Sequence, residues 1–432
     1  MSEILILKGG EVVDPRNGID EAKDVLIKDG LIAEIAKPGA FDSQEGKVID
    51  CSSKWVVPGL VDIHVHLREP GQEWKEDVAS GSAAAVAGGF TSICCMPNTN
   101  PVNDNASVTE FIIDAANRAD LARVFPIGAI SIGLKGEELA PLLELKEAGC
   151  VAFSDDGFPV WDPLLMRKAL EYSLMLGAKL TCHEEEKSLS RGFSMNESSL
   201  SIELGLKGMP GAAEDIMIAR DIELSLLTGA PVHFCHVSTA RAVTLIRRAK
   251  EDGIPVTAET TPHYLTLDEN SVVEHGTAAK MSMPLRSLED QEALIKGLAD
   301  GTIDCIASDH APHEIDTKRT EFPSAAFGIL GLQTTLPLTL ARVRDGSLSR
   351  SRAIESLSSA PANCLNLDGG HLSKGAVADV AIVDPEASIE INKDTILSKS
   401  KNTPFMGQTL QGVADATIVG GKLVYTREEG IV

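Results

Sequence analysis

The chain has 432 residues, 43% hydrophobic and 24% charged, with a formal net charge of −24. That length supports a large core plus a smaller second unit, and the acidity argues against nucleic acid or an anionic membrane surface as partner. It also repels anions at long range, so any anionic substrate needs a site with its own local cations.

No stretch approaches the roughly 18 apolar residues of a membrane span, and Met1-Ser2-Glu3 lacks the basic start of a signal peptide. A cytoplasmic location is therefore expected. The eight cysteines are scattered without a C-x-x-C pair. They read as buried thiols in a reducing compartment, neither disulfides nor zinc fingers.

Residues 1–57 read as short strands and tight turns. Val25 to Ile35 is a hairpin about Asp29-Gly30, a pair suited to a two-residue type I′ turn. The C-terminal end repeats the pattern, with a strand at Ala378–Val383 and a hairpin over Thr417–Tyr425. The expectation is that 1–57 and 366–432 form one composite β-sandwich. Between them, over 58–365, apolar strands alternate with helical segments such as Asp77–Ala87 and Met166–Leu176.

The strands fall at Val61–His66, Thr91–Met96, Val124–Ser131, Val151–Ser154, Lys179–His183, Val232–Val237, Val256–Thr260 and Cys305–Ser308. Eight strand–helix units predict an α/β fold, a (β/α)8 TIM barrel. An open doubly wound sheet is the alternative, without a G-x-G-x-x-G after the first strand to support it.

Acids and histidines cluster at the ends of these strands. His64 and His66 close the first and share one face, because side chains in a strand repeat every two residues. Asp155-Asp156 ends the fourth, His183 the fifth, His236 the sixth and Asp309 the eighth. The C-terminal strand ends of a barrel converge on one mouth. Imidazole and carboxylate donors without thiolate suit zinc. Six candidate ligands exceed the needs of one tetrahedral ion and suit two ions about 3.5–4 Å apart. Such ions make a nucleophile of bound water, and a nearby aspartate can move its proton, which is hydrolysis at a carbonyl or phosphoryl centre. Arg68, Asn98 and His313 could converge as a carboxylate clamp, Arg68 by continuing the strand geometry two residues past His66.

Seven ordered segments carry a resemblance over nearly the whole chain. They are PGLVDIHVHLREPG at 58–71, MPNT at 96–99, AFSDDG at 152–157, HFCHVST at 233–239, VTAETTPHYL at 256–265, SDHAPH at 308–313 and FGILGLQT at 327–334. Together they resemble the cyclic amidohydrolases of the metal-dependent amidohydrolase superfamily, and within them the class I dihydroorotase family. The resemblance implies the barrel-plus-sandwich architecture. It implies the reversible cyclisation of N-carbamoyl-L-aspartate to (S)-dihydroorotate in pyrimidine synthesis, with a metal-activated hydroxide as nucleophile. Carried over by position, His64, His66, Asp156 and Asp309 look like ligands of one zinc, and Asp156, His183 and His236 of a second. Asp309 would double as general acid/base. His66, Arg68, Asn98 and His313 resemble substrate-contacting residues, with the Phe327 and Gly328 backbone closing over the ring.

Some positions depart from the family. No lysine stands in Val151–Val160, so an aspartate bridge replaces the carboxylated lysine of many relatives. Ser282 stands where an asparagine is expected to touch substrate; a hydroxyl can still hydrogen-bond but reaches less far. Tyr264 and Gln333 replace a common histidine and glutamate. Of the other histidines, His233 is expected to face the core and His310 to point away from Asp309. His263 is read as structural or as supporting the site, and His275 and His371 as exposed. The polar segment from Pro312 to Gly328 is expected to be a mobile loop over the mouth.

The rival enzymatic reading is a hydantoinase or allantoinase, which would not need the clamp. A non-catalytic partner of aspartate transcarbamoylase would have lost metal ligands, and all are present here. A homo-oligomer and association with that transferase are further expectations of the resemblance.

Overall fold

The computed structural model describes residues 3–432; Met1 and Ser2, part of the start read as lacking a signal, lie outside that span. Eight parallel strands run in sequence order: Leu60–Val65, Phe90–Cys95, Arg123–Gly128, Ala152–Phe153, Lys179–Cys182, Val232–Phe234, Val256–Thr260 and Cys305–Ile306. The sheet closes where Val65 pairs in parallel with His310. The order never reverses, which excludes the doubly wound alternative. The molecule is a (β/α)8 barrel, its strands falling at all eight predicted places but ending one to three residues earlier in most. Three of the freed residues, His66, His183 and His236, line the mouth.

The local reasons are legible. Leu60–Val65 is buried at every position, as expected of a barrel strand packed on both faces. In the helix Ala240–Glu251 the buried residues Ala242, Val243, Ile246 and Ala249 repeat at helical spacing. Its N-cap Thr239 accepts from the Ala242 amide, a device worth about 1 kcal/mol. Asp77 caps Val78–Ala87 through a reciprocal capping box with Ser80.

Strands from both termini form one continuous nine-stranded sheet. Trp55–Pro58 joins them, pairing parallel with Ile4–Asp14 and antiparallel with Val380–Glu390. The two predicted hairpins are present. Asp29 and Gly30 both have positive φ, 51° and 79°, as do Gly420 and Gly421 at the second turn. One face of this sheet buries its own apolar cluster, including Leu7, Val25, Ile27, Val56, Val380 and Ile418.

Gly59 connects the terminal sheet to the first barrel strand, its amide donating to the Asp379 carbonyl. A Cβ there would sit 2.1 Å from Thr91 Oγ1. Gly59→Ala is expected to cost about 1–3 kcal/mol through overpacking, read as a lowered denaturation midpoint. An unchanged midpoint would show that the joint is slack.

Candidate active site

The barrel mouth opens into a cleft of about 390 Å³, lined by His66, Arg68, Asn98, Asp156, His183, His236, Ser282, Asp309, His313, Phe327 and Gly328. Every predicted substrate-contacting residue borders it, Ser282 included. His64 lies just beneath, fully buried. Three of these residues hold left-handed backbone conformations, Arg68 at φ 63°, His236 at 36° and Asp309 at 44°. Such conformations cost a non-glycine residue of order 1–3 kcal/mol and persist where surrounding structure imposes them.

Asp156 is the point of convergence. Its Oδ1 lies 3.4 Å from His64 Nε2, 3.4 Å from His236 Nε2 and 3.6 Å from His183 Nδ1, and its Oδ2 lies 3.5 Å from His66 Nε2. Asp309 Oδ1 lies 3.2 Å from His66 Nε2 and 3.6 Å from His64 Nε2. Two groups could each hold an ion, His64–Asp156–His236 and His64–His66–Asp309, all buried. The donor set fits a metal on its own evidence. His64 Nε2, the nitrogen that faces Asp156 and Asp309, has no hydrogen-bond partner among the described residues, and an orphaned buried nitrogen is costly unless something binds it. The imidazoles facing Asp156 hold its carboxyl well below the usual carboxylate range, despite burial.

The neighbouring Asp155 does a different job. It accepts from the amides of Ile130 and Ser131 and from the Ser131 hydroxyl. Burial pushes its carboxyl up to about 6.

Arg68 is buried, yet strand geometry does not bring it to the mouth. The strand ends at Val65, and the left-handed turn at Arg68 redirects the chain. Its Nε donates to the Pro312 carbonyl at 3.2 Å and its Nη2 lies 3.4 Å from His313 Nε2. These bonds include no carboxylate. Burial lowers the guanidinium to about 10, so most of its charge persists at neutral pH and is open to an anion. Burial and the adjacent Arg68 keep His313 neutral, at about 2. Asn98 is partly committed elsewhere: its Oδ1 lies 2.9 Å from His66 Nδ1, and its amide reaches Asp156 Oδ2 at 3.5 Å.

Other expectations sort as follows. His233 is buried and bonds Thr257 and Glu259. His310 turns away to Glu76 and to the amides of Gly331 and Leu332. His263 is buried against Tyr264, with ring centroids 4.6 Å apart. His275 and His371 are half-buried, not exposed, and His275 ends the short helix Ser271–His275. Tyr264 donates to the Met283 carbonyl, and Gln333 bonds backbone at Thr395 and Leu397. Sequence reasoning passed over Glu259, 2.8 Å from His64 Nδ1, and Glu185, 2.9 Å from His183 Nε2. The signal for Glu259 was a charged residue inside a barrel strand; Glu185 was masked by its run of three glutamates.

Two lysines tie the segment from Pro312 to Gly328 to the barrel and to the loop before it. Lys280 Nζ donates to the carbonyls of Phe322, Pro323 and Ala325 at 2.8–2.9 Å, and lies 4.2 Å from the Phe327 ring centroid. Lys318 Nζ donates back to the Thr277 and Lys280 carbonyls. Ammonium–carbonyl bonds and a cation–π contact each contribute on the order of 1 kcal/mol or more. Lys280→Met is expected to speed chymotryptic cleavage after Phe327 several-fold with the barrel intact. Equal cleavage rates would show that the ammonium is not the latch.

Comparison with known proteins agrees with this geometry. Residues 53–242 match the family model described as dihydro-orotase-like. The chain is 50% identical over 422 residues to a dihydroorotase of Trichlorobacter lovleyi, covering 98% of this chain and 99% of that protein. It is 51% identical over 432 residues to a dihydroorotase of Anaeromyxobacter dehalogenans strain 2CP-C, covering 100% of this chain and 99% of that one. The chain belongs to the dihydroorotase family. Among solved structures, the L-hydantoinase (dihydropyrimidinase) of Arthrobacter aurescens superposes with a TM-score of 0.90 at 26% identity, covering 100% of this chain and 98% of that one. The dihydropyrimidinase of Brevibacillus agri NCHU1002 gives 0.85 at 23% identity, covering 100% and 96%, and bears on the fold alone. No helix among the described residues is long and apolar enough to cross a membrane.

Proposed function

We propose that this chain is a zinc-dependent dihydroorotase, interconverting N-carbamoyl-L-aspartate and (S)-dihydroorotate. The observation that carries this reading is the buried Arg68 guanidinium, bonded only to a carbonyl and a neutral imidazole, beside a His/Asp set suited to metal. A cyclic amidase acting on uncharged rings has no use for a buried cation awaiting an anion. Dihydroorotate carries a ring carboxylate that needs one.

His64, His66, Asp156 and Asp309 would hold one zinc, and Asp156, His183 and His236 a second. Bound zinc would supply Lewis acidity, activating water and polarising the ring carbonyl. Asp309 is the general acid/base: its carboxylate takes a proton on the hydrolytic side and delivers it to the departing ring nitrogen. The reverse transfers close the ring. Arg68 and His313, with Asn98, orient the substrate carboxylate. The backbone of Phe327 and Gly328 covers the ring, and Ser282 offers a hydroxyl from the seventh-strand side. Residues 58–365 form the catalytic barrel, and 1–57 with 366–432 the accompanying sandwich; the separate apolar cluster of the terminal sheet supports that division. Oligomeric assembly, association with aspartate transcarbamoylase and the cytoplasmic setting rest on the sequence resemblance alone.

Purified protein is expected to turn over both substrates, to lose activity on chelation, and to regain it as about two zinc ions per chain rebind. Zinc-replete protein that leaves dihydroorotate untouched would overturn the reading. Arg68→Met is expected to lower kcat/KM for dihydroorotate by about 10–100-fold, the worth of a lost charged hydrogen bond, while sparing any slow hydrolysis of neutral hydantoins. Equal losses on both would remove Arg68 from the clamp.

A further inference from the structure

One buried carboxylate beneath the cleft has no part in the chemistry above. Glu259 lies inside the seventh barrel strand and is 1% exposed. Its Oε1 is 2.8 Å from His64 Nδ1, and its Oε2 is 3.1 Å from His233 Nε2. The other nitrogen of His233 is 2.9 Å from Thr257 Oγ1, two residues back on the same strand face. Thr257, His233, Glu259 and His64 thus form an unbroken chain across three strands, ending at the His64 ring.

The far nitrogen of that ring is the informative one. His64 Nε2 has no hydrogen-bond partner among the described residues, although the residue is fully buried. It faces Asp156 Oδ1 at 3.4 Å and Asp309 Oδ1 at 3.6 Å. An ionised carboxylate only accepts hydrogen bonds, so Glu259 draws the His64 proton onto Nδ1. The lone pair of a neutral ring then sits on Nε2, aimed between the two aspartates.

We propose that Glu259 is a positioning residue that fixes the tautomer and orientation of His64, braced through His233 and Thr257, and so sets the affinity of the site for zinc. The inference rests on the metal-site reading above. His64 is a ligand of the first proposed zinc, with His66, Asp156 and Asp309, and lies in both buried His/Asp groups at the mouth, so its misorientation weakens that ion first. A carboxylate behind a ligating imidazole fixes the ring and raises its basicity, and losing it costs about 10–100-fold in metal affinity. Gln at 259 keeps the volume but can donate its amide to Nδ1, favouring the tautomer that protonates Nε2 and blocks it.

The test is zinc titration of apo protein against a chromogenic chelator, for wild type and Glu259→Gln. The expected result is affinity weaker by about 10–100-fold in the variant, with KM for dihydroorotate near wild type once zinc saturates. Nitrogen-15 histidine spectra of apo wild type should show His64 protonated on Nδ1, assigned by its loss in His64→Gln. Wild-type protein that binds zinc alongside a Glu259→Gln variant of equal affinity would overturn the proposal, as would a neutral His64 protonated on Nε2 and bare on Nδ1. Wild-type protein that binds no zinc would instead overturn the metal-site reading itself. Should Glu259→Gln fail to fold, His233→Gln carries the same titration. Weakened zinc binding there supports the brace, and unchanged binding sinks it.

Discussion

The structure depends on how the barrel closes between its first and eighth strands. Among the described residues only the Val65–His310 bridge, with the His66 amide donating to the His310 carbonyl, ties the two edges by backbone. Below that point a carboxylate does the work. Asp62 accepts from the Ser308 amide across the seam and from the His64 amide on its own strand. Burial raises Asp62 to about 7, a cost to its ionised form that those donors only partly offset. The seam sets the 3.2 Å spacing between His66 Nε2 and Asp309 Oδ1. A fully laddered join would bring strand backbone to the place where these side chains emerge.

Around the seam, a strongly acidic protein keeps its useful charges local. The histidines facing Asp156 and Asp309 hold both carboxyls low, while Arg68 stands a short way off beside a neutral imidazole. In a dry cleft such charges act at short range and are little screened. The net charge of −24 therefore governs the approach of an anion from solution more than its hold once inside.

Much of this was legible in the sequence because barrels are modular. Eight apolar runs predict eight strands, and chemistry placed at their ends predicts a shared mouth. Type I′ turns at Asp29-Gly30 and Gly420-Gly421 could be read from glycine alone. What escaped were features that depend on packing between distant strands. Arg68 reaches the cleft through a left-handed turn that alternation does not anticipate. Lys280 reads as an ordinary surface lysine until the Phe322–Ala325 carbonyls fold over it. Glu259 gains meaning only when His64, 195 positions away, comes to rest against it.

The seam also has a bearing on how the chain is made. His66 and Asp309 are separated by 243 positions, and ribosomes deliver residues in order, with N-terminal units tending to fold first. Five of the six candidate ligands therefore wait, already synthesised, for Asp309 at the end of the last barrel strand. Contacts of such long range are slow to form. A nascent chain cannot assemble the full set, nor hold metal in it, until nearly three-quarters of the protein has emerged.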